Sequence, residues 1–152
     1  MWNEPAAVGV ARLDDVIPWR VLGDDVRHLG GGPGQPWSLF EIRTDGPMGP
    51  PPHRHVWEEL FLVTAGRLEL FDGQRWLVAE PGTLVRLPSF SLHTYRASTP
   101  GTRFLALISP GGSETFFRDL ADQVVMMPPD PALVMAICAR HGVEIVPGEE
   151  AE

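Results

Sequence analysis

The chain has 152 residues, enough for one domain with a sizeable core and too few for a second catalytic domain. Twelve basic residues against 20 acidic ones give a net charge of -8 and a pI near 5.0, which argues against nucleic acid or an anionic membrane as the main partner and for a small molecule. All of the basic residues are arginine, and the absence of lysine excludes Schiff-base chemistry and a phosphate-binding loop that ends in lysine.

Sixteen Gly and 16 Pro punctuate short alternating segments, the pattern of an all-β domain. The first 36 residues are the least regular: 16–22 is expected as an edge strand, 30–36 as loop, and His28 beside Gly30-Gly31-Gly32 as a loop residue. Strands are predicted at 37–44, 60–64, 67–71, 74–78, 83–87, 93–96 and 103–109. Asp72-Gly73 is placed as a two-residue hairpin loop, because both central positions of such a turn need positive φ. Pro81-Gly82 suits the centre of a type II turn. Consecutive strands with no helix between them argue for antiparallel pairing in a sandwich or barrel, with a core over about 37–109.

After Pro110-Gly111-Gly112 the pattern becomes helical, over about 113–142. Ser113 is the expected N-cap of one helix through Ala121; Asp130-Pro131 starts a second that ends near Arg140 and His141, with Gly142 as its stop. Both helices are expected to cover the outside of the barrel. Cys138, alone and among Ala136, Ile137 and Ala139, is read as a buried thiol. The N-terminus has no basic stretch before an apolar one and no window nears eighteen uninterrupted apolar residues, so a cytoplasmic protein outside the membrane is expected, as a single domain over 1–152.

The residues with the clearest chemistry are His53-x-His55-x3-Glu59-x6-Gly66 and, after a spacer, Pro88-x4-His93. Side chains at i and i+2 of a strand share a face, so His53 and His55 can reach one ion; Glu59 follows at the start of an apolar run, and His93 comes from an alternating segment after a turn. Three imidazoles and a carboxylate suit one divalent transition metal, with iron, nickel, manganese and zinc all compatible. His28 and His141 lack such company, and His141 is read as a cation at a helix end.

On these residues the chain resembles the cupin superfamily, whose first motif is Gly-x5-His-x-His-x3or4-Glu-x6-Gly and whose second is Gly-x5-Pro-x-Gly-x2-His-x3-Asn. The first matches at His53, His55, Glu59 and Gly66, the second at Gly82, Pro88 and His93. Position 47 is Pro where the leading Gly is usual, Phe90 stands where Gly is usual and Ala97 where Asn is usual. The resemblance implies an antiparallel double-stranded β-helix, the cupin jelly roll, and its C-terminal stretch looks like that of single-domain cupins described as quercetin-dioxygenase-like.

Three ligand histidines and Glu59 leave up to two positions of an octahedral ion open, a catalytic arrangement. The resemblance implies a dioxygenase-type reaction on a small aromatic or enolic molecule, with Glu59 as ligand and base. The alternatives are a redox-neutral cyclase, isomerase or lyase, for which polyketide cyclases are the precedent, and a non-catalytic ligand-binding cupin. Tyr95, Phe61, Val63, Trp37 and Phe90 are the expected pocket residues, Tyr95 by shared parity with His93 and Phe61 and Val63 by parity with Glu59. Cupin barrels often pair through their N-terminal strands, and Trp2, Trp19 and Val16-Ile17 offer apolar surface for a homodimer.

Overall fold

The computed structural model describes residues 9–146. After a single 3-10 turn at Leu13–Asp15, the strands are β1 (Trp19–Val21), β2 (Asp24–Gly31), β3 (Ser38–Thr44), β4 (His53–Arg54), β5 (Glu58–Ala65), β6 (Leu68–Phe71), β7 (Trp76–Ala79), β8 (Leu84–Leu87), β9 (Thr94–Ala97) and β10 (Thr102–Ser109). Helices α1 (Glu114–Gln123) and α2 (Pro131–Arg140) and a last short strand, β11 (Glu144–Ile145), complete the described chain. Among the described residues no helix is long and apolar enough to cross a membrane.

All strand pairs are antiparallel. The larger sheet runs β1-β2-β3-β10-β5-β8, the smaller one β7-β6-β9, and β11 pairs with β4. A bridge between His53 and His93 joins β4 to the start of β9, so the sheets form a jelly roll. Alternation decides what lies inside. On β10, Thr102, Phe104, Ala106 and Ile108 are buried, and on β5 the buried set is Glu59, Phe61 and Val63. With Phe40, Ile42, Leu68, Leu70 and Leu87 these side chains fill the space between the sheets, each large one contributing about 1.5–3 kcal/mol by burial. Glu59 is the only charged group in the inward row of β5, so its carboxylate sits at the end of an apolar column.

Several local expectations shift. The hairpin between β6 and β7 pairs Phe71 with Trp76 and centres on Gly73-Gln74, one residue later than Asp72-Gly73. The reason is the Asp72 carboxylate, which accepts from the backbone N–H of both Gln74 and Arg75 at 2.9 Å and leaves only Gly73, at φ 93°, in a left-handed conformation. The turn at Pro81-Gly82 is as predicted, with Thr83 N donating to Glu80 O at 2.9 Å and Gly82 at φ 90°. Gly30 and Gly31 belong to β2 rather than to a loop, and a bulge between His28 and Gly30 absorbs them. Strand β2 escapes sequence pattern because Val26 is its one fully buried residue. His28 is correspondingly a strand residue, half-buried between the Trp19 and Phe40 rings. The expected edge strand at 16–22 contracts to β1; Ile17 is exposed, and Trp2 lies outside the described residues.

The helices do not cover the outside of the barrel as expected: they close the inward face of the large sheet, with Phe117 edge-on to Phe40 at 4.9 Å and Leu120, Val124 and Ile137 in the same core as Phe40 and Phe104. Ser113 does not cap α1: it is already helical, and its buried hydroxyl has no partner. Instead Ser38 Oγ donates to Glu114 Oε2 at 2.7 Å and accepts from Gly112 N at 2.9 Å, tying the helix start to β3. Asp130 does cap α2, accepting from Ala132 N at 3.0 Å with Pro131 behind it. His141 closes that helix, and Cys138 is buried as expected. Asp130→Ala should therefore lower stability by about 1 kcal/mol, read as a fall of about 2–4 °C in the thermal midpoint without change in the far-UV circular dichroism spectrum.

Candidate metal centre

Short elements bring the four residues together. His53 and His93 exchange both backbone hydrogen bonds, His53 N to His93 O and His93 N to His53 O, each 3.0 Å. His55 follows two residues later on the same side, and Glu59 enters as the second residue of β5. The ring nitrogens of His53, His55 and His93 that face one another all lie within 4.8 Å. Glu59 Oε2 lies 3.6 Å from His55 Nε2 and 3.2 Å from His93 Nε2. His55, Glu59 and His93 are buried, whereas His53 is partly exposed and marks the open side of the cluster.

The orientation of the rings is set by main-chain carbonyls. Nδ1 of His53 bonds Pro51 O at 2.8 Å, Nδ1 of His55 bonds Trp57 O at 3.1 Å, and Nδ1 of His93 bonds Ser91 O at 2.9 Å. A carbonyl only accepts, so each Nδ1 carries the proton and donates it. In the neutral ring this leaves Nε2 as a lone pair, and the three lone pairs converge beside a carboxylate that also only accepts. Such an arrangement is repulsive without a cation in the middle. Nε2 of His93 is buried and, despite its closeness to Glu59, lacks the alignment of a hydrogen bond, so it has no hydrogen-bond partner. An orphaned buried imidazole nitrogen and two further ring nitrogens within 4.8 Å of one another fit a metal ion held by His53, His55 and His93, with the Glu59 carboxylate beside His55 and His93.

The electrostatics agree. Desolvation, reinforced by the neighbouring His93, lowers His53 to about 4, so it stays neutral and available as a ligand at ordinary pH. Burial alone would raise the Glu59 carboxyl, but the His55 and His93 imidazoles outweigh it and hold Glu59 ionised. Burial likewise opposes charge on His93, and the proximity of Glu59 outweighs that and raises it.

The proposed pocket residues divide. Phe61 and Val63 are 2% and 1% exposed and belong to the core below the site, which corrects their placement in a pocket wall: the barrel interior is filled to the level of Glu59. Tyr95 does point inward, but its ring packs edge-on against Phe61 and Phe104 and its hydroxyl donates to Asp24 Oδ2 at 3.0 Å. Burial first, then Asp24, raises the Tyr95 hydroxyl well above its ordinary value; burial also raises the Asp24 carboxyl. Trp37, in the loop just before β3, lays its ring over Gly30 of β2. Phe90 lies at the rim: its N–H donates to His55 O at 2.7 Å and its side chain is 64% exposed. Phe90 has φ 63°, which explains why a glycine is usual at this motif position. The leading glycine of the first motif has a counterpart in Gly49, where a Cβ would collide with the Tyr95 carbonyl.

Two supports were not foreseen. The Trp57 ring packs 4.9 Å from the His55 ring and 5.9 Å from Phe116 of α1, and β11 pairs with β4. The carbonyl partners of the three Nδ1 atoms have no sequence signature, since any residue supplies a carbonyl.

A jelly roll whose His-x-His-x3-Glu segment and distant histidine converge at the barrel mouth has the cupin fold. Residues 39–109, just under half of the chain, match the Cupin_2 family, a cupin domain. Over 88 residues it is 27% identical to quercetin 2,3-dioxygenase of Bacillus subtilis (strain 168), a match covering 56% of this chain and 26% of that enzyme, so the chain spans about a quarter of its relative's length. Among solved structures, an RmlC-like cupin from Shewanella frigidimarina superposes with a TM-score of 0.64 at 15% identity, covering 72% of this chain and 96% of the other. The polyketide cyclase RemF from Streptomyces resistomycificus superposes with a TM-score of 0.55 at 22% identity, covering 67% and 78%. At these identities the two structures share the fold.

Protein purified without chelator should carry one divalent ion per chain by elemental analysis, and His53→Ala or His55→Ala should strip it. Glu59 outweighs burial and raises His93, so the protonated fraction of this ring grows as pH falls and competes with metal; apparent metal affinity should drop on acidification, with proton release on binding. A calorimetric titration in buffers of different ionisation enthalpy measures the released proton, and an affinity independent of pH between 5 and 8 (about the range over which His charge changes) would contradict this.

Proposed function

We propose that the protein is a metal-dependent enzyme acting on a small aromatic or enolic molecule, with a dioxygenase-type reaction as the best-supported chemistry. The observation that carries the reading is the buried Glu59 carboxylate, held ionised beside the converging Nε2 atoms of His55 and His93 at the barrel mouth. Its 27% identity to a quercetin 2,3-dioxygenase over 88 residues supports the choice of reaction class.

When bound, a divalent transition metal supplies Lewis acidity toward a phenolic or enolic oxygen and, if redox-active, the electron transfer that dioxygen chemistry requires. The chain's own residues do the rest. His53, His55 and His93 hold the ion with neutral imidazoles whose orientation is locked through Nδ1. Glu59 Oε2 accepts the substrate's hydroxyl proton, and the apolar floor of Phe61 and Val63 keeps bulk water from its other side. The half-open side at His53 and the exposed Phe90 ring leave the approach to the substrate.

A redox-neutral cyclisation, isomerisation or elimination uses the same residues, because proton movement at Glu59 needs no oxidant. Dioxygen uptake separates the two: turnover of an enolic or flavonol-type substrate with one equivalent of dioxygen consumed supports the first reading, and turnover under anaerobic conditions supports the second.

Either way, Glu59→Gln keeps shape and removes basicity. It should retain metal near the parent level, since three imidazoles remain, while the rate falls about a hundredfold or more. Turnover at the parent rate would leave Glu59 a ligand without a proton-transfer role.

A further inference from the structure

We propose that the C-terminal segment, which lies outside the matched cupin domain, is part of the metal centre: β11 and α1 hold His53 and His55 in their ligating positions, so metal occupancy and docking of residues 143–146 are coupled. The inference rests on the metal-site reading above and adds to it residues that carry no ligand atom.

Strand β4 is only His53–Arg54 and follows Pro50-Pro51-Pro52, three residues without a backbone N–H. On one side it has the single bridge to His93. The other side is completed by the C-terminal strand, with Glu144 opposite Arg54, Ile145 opposite His53, and Val146 N donating to Pro52 O at 3.0 Å. Arg54 adds a two-pronged contact to Glu144, 2.9 Å to Oε2 and 3.0 Å to Oε1. That ion pair is exposed, so the backbone pairing has the larger part in fixing the strand. Without β11, the two-residue strand that presents His53 would be an open edge, held on its other side by the pair of bonds to His93 and by the flanking bonds from Phe90 N to His55 O and from Thr94 Oγ1 to Pro50 O.

His55 is supported from the same segment by another route. Trp57 supplies the carbonyl for His55 Nδ1 and lays its ring against the imidazole, and Phe116 of α1 packs on Trp57. Phe116 also meets His141, whose Nε2 lies 2.6 Å from Asp119 Oδ2, which locks α1 to the end of α2. From there Val143 N donates to Cys138 O at 2.9 Å and directs the chain into β11. Both histidines of the first motif are thus braced from outside by one continuous piece of chain. Coupling between two such events is reciprocal: if β11 favours metal, metal favours β11.

The test uses the full chain and Co(II). Wild-type protein should bind Co(II) with a visible absorption band that His55→Ala abolishes; if it does not, the metal reading falls and this inference with it. Given binding, Co(II) should slow amide hydrogen exchange at residues 144–146 in the wild type. Val146→Pro, which deletes the N–H to Pro52 O, and Phe116→Ala should each weaken Co(II) about tenfold or more, the scale for lost support of a metal ligand. Val26→Ala, which opens the core on β2, should lose stability and keep wild-type affinity. Wild-type binding by both Val146→Pro and Phe116→Ala, exchange at 144–146 indifferent to Co(II), or equal weakening by Val26→Ala would each overturn the coupling while leaving the metal site standing.

Discussion

The site depends on three main-chain carbonyls. Pro51 O, Trp57 O and Ser91 O each take the Nδ1 proton of one histidine, and this choice of tautomer turns three Nε2 lone pairs into the same small volume beside Glu59. Histidines in this part of the chain would otherwise be free to rotate or to bond Glu59 directly. Fixed as they are, they leave a buried nitrogen of His93 without a partner, a cost that a fold retains only where something else satisfies it.

The barrel supplies the rest by parity. Alternation along β5 sends Glu59, Phe61 and Val63 inward together, so the carboxylate that faces the histidines stands on an apolar column reaching Phe104 and Phe40. Desolvation from that column raises the cost of charge, and the imidazoles more than offset it for Glu59. The same packing decides where the cluster is open. With Phe61 and Val63 in the core and the Tyr95 hydroxyl turned to Asp24, it opens on the His53 and Phe90 side.

Ligand spacing, strand parity and the Pro81-Gly82 turn were legible in the sequence because each depends on local residue type: His53 and His55 share a face by period two, and Pro followed by Gly fits one turn geometry. The capping of α2 by Asp130 was legible for the same reason. Other features depend on tertiary partners and were not. Strand β2 has a single fully buried residue and ends in glycines, so only its pairing with β3 makes it a strand. Ser113 looked like a cap, but Ser38 from a strand 76 positions away from Glu114 holds the helix start. The hairpin at Asp72 moved by one residue because its carboxylate captured two backbone donors, a competition that the dipeptide alone does not reveal. The pairing of β11 with β4 joins residues 90 positions apart, Arg54 and Glu144, and no pattern in either segment announces it. Phe90 shows how a departure from a family motif is accommodated: the backbone keeps the left-handed conformation that glycine usually provides, and the ring points to solvent at the rim.

The most direct measurement is the anomalous difference map of crystals grown with Co(II), collected at the cobalt edge. The account predicts one strong peak per chain about 2.0–2.2 Å from Nε2 of His53, His55 and His93, with Glu59 Oε2 completing the protein ligands and every Nδ1 still on its carbonyl. A map without a peak there, or one in which an Nδ1 atom holds the ion, would contradict the claim that the three carbonyls orient these histidines for metal.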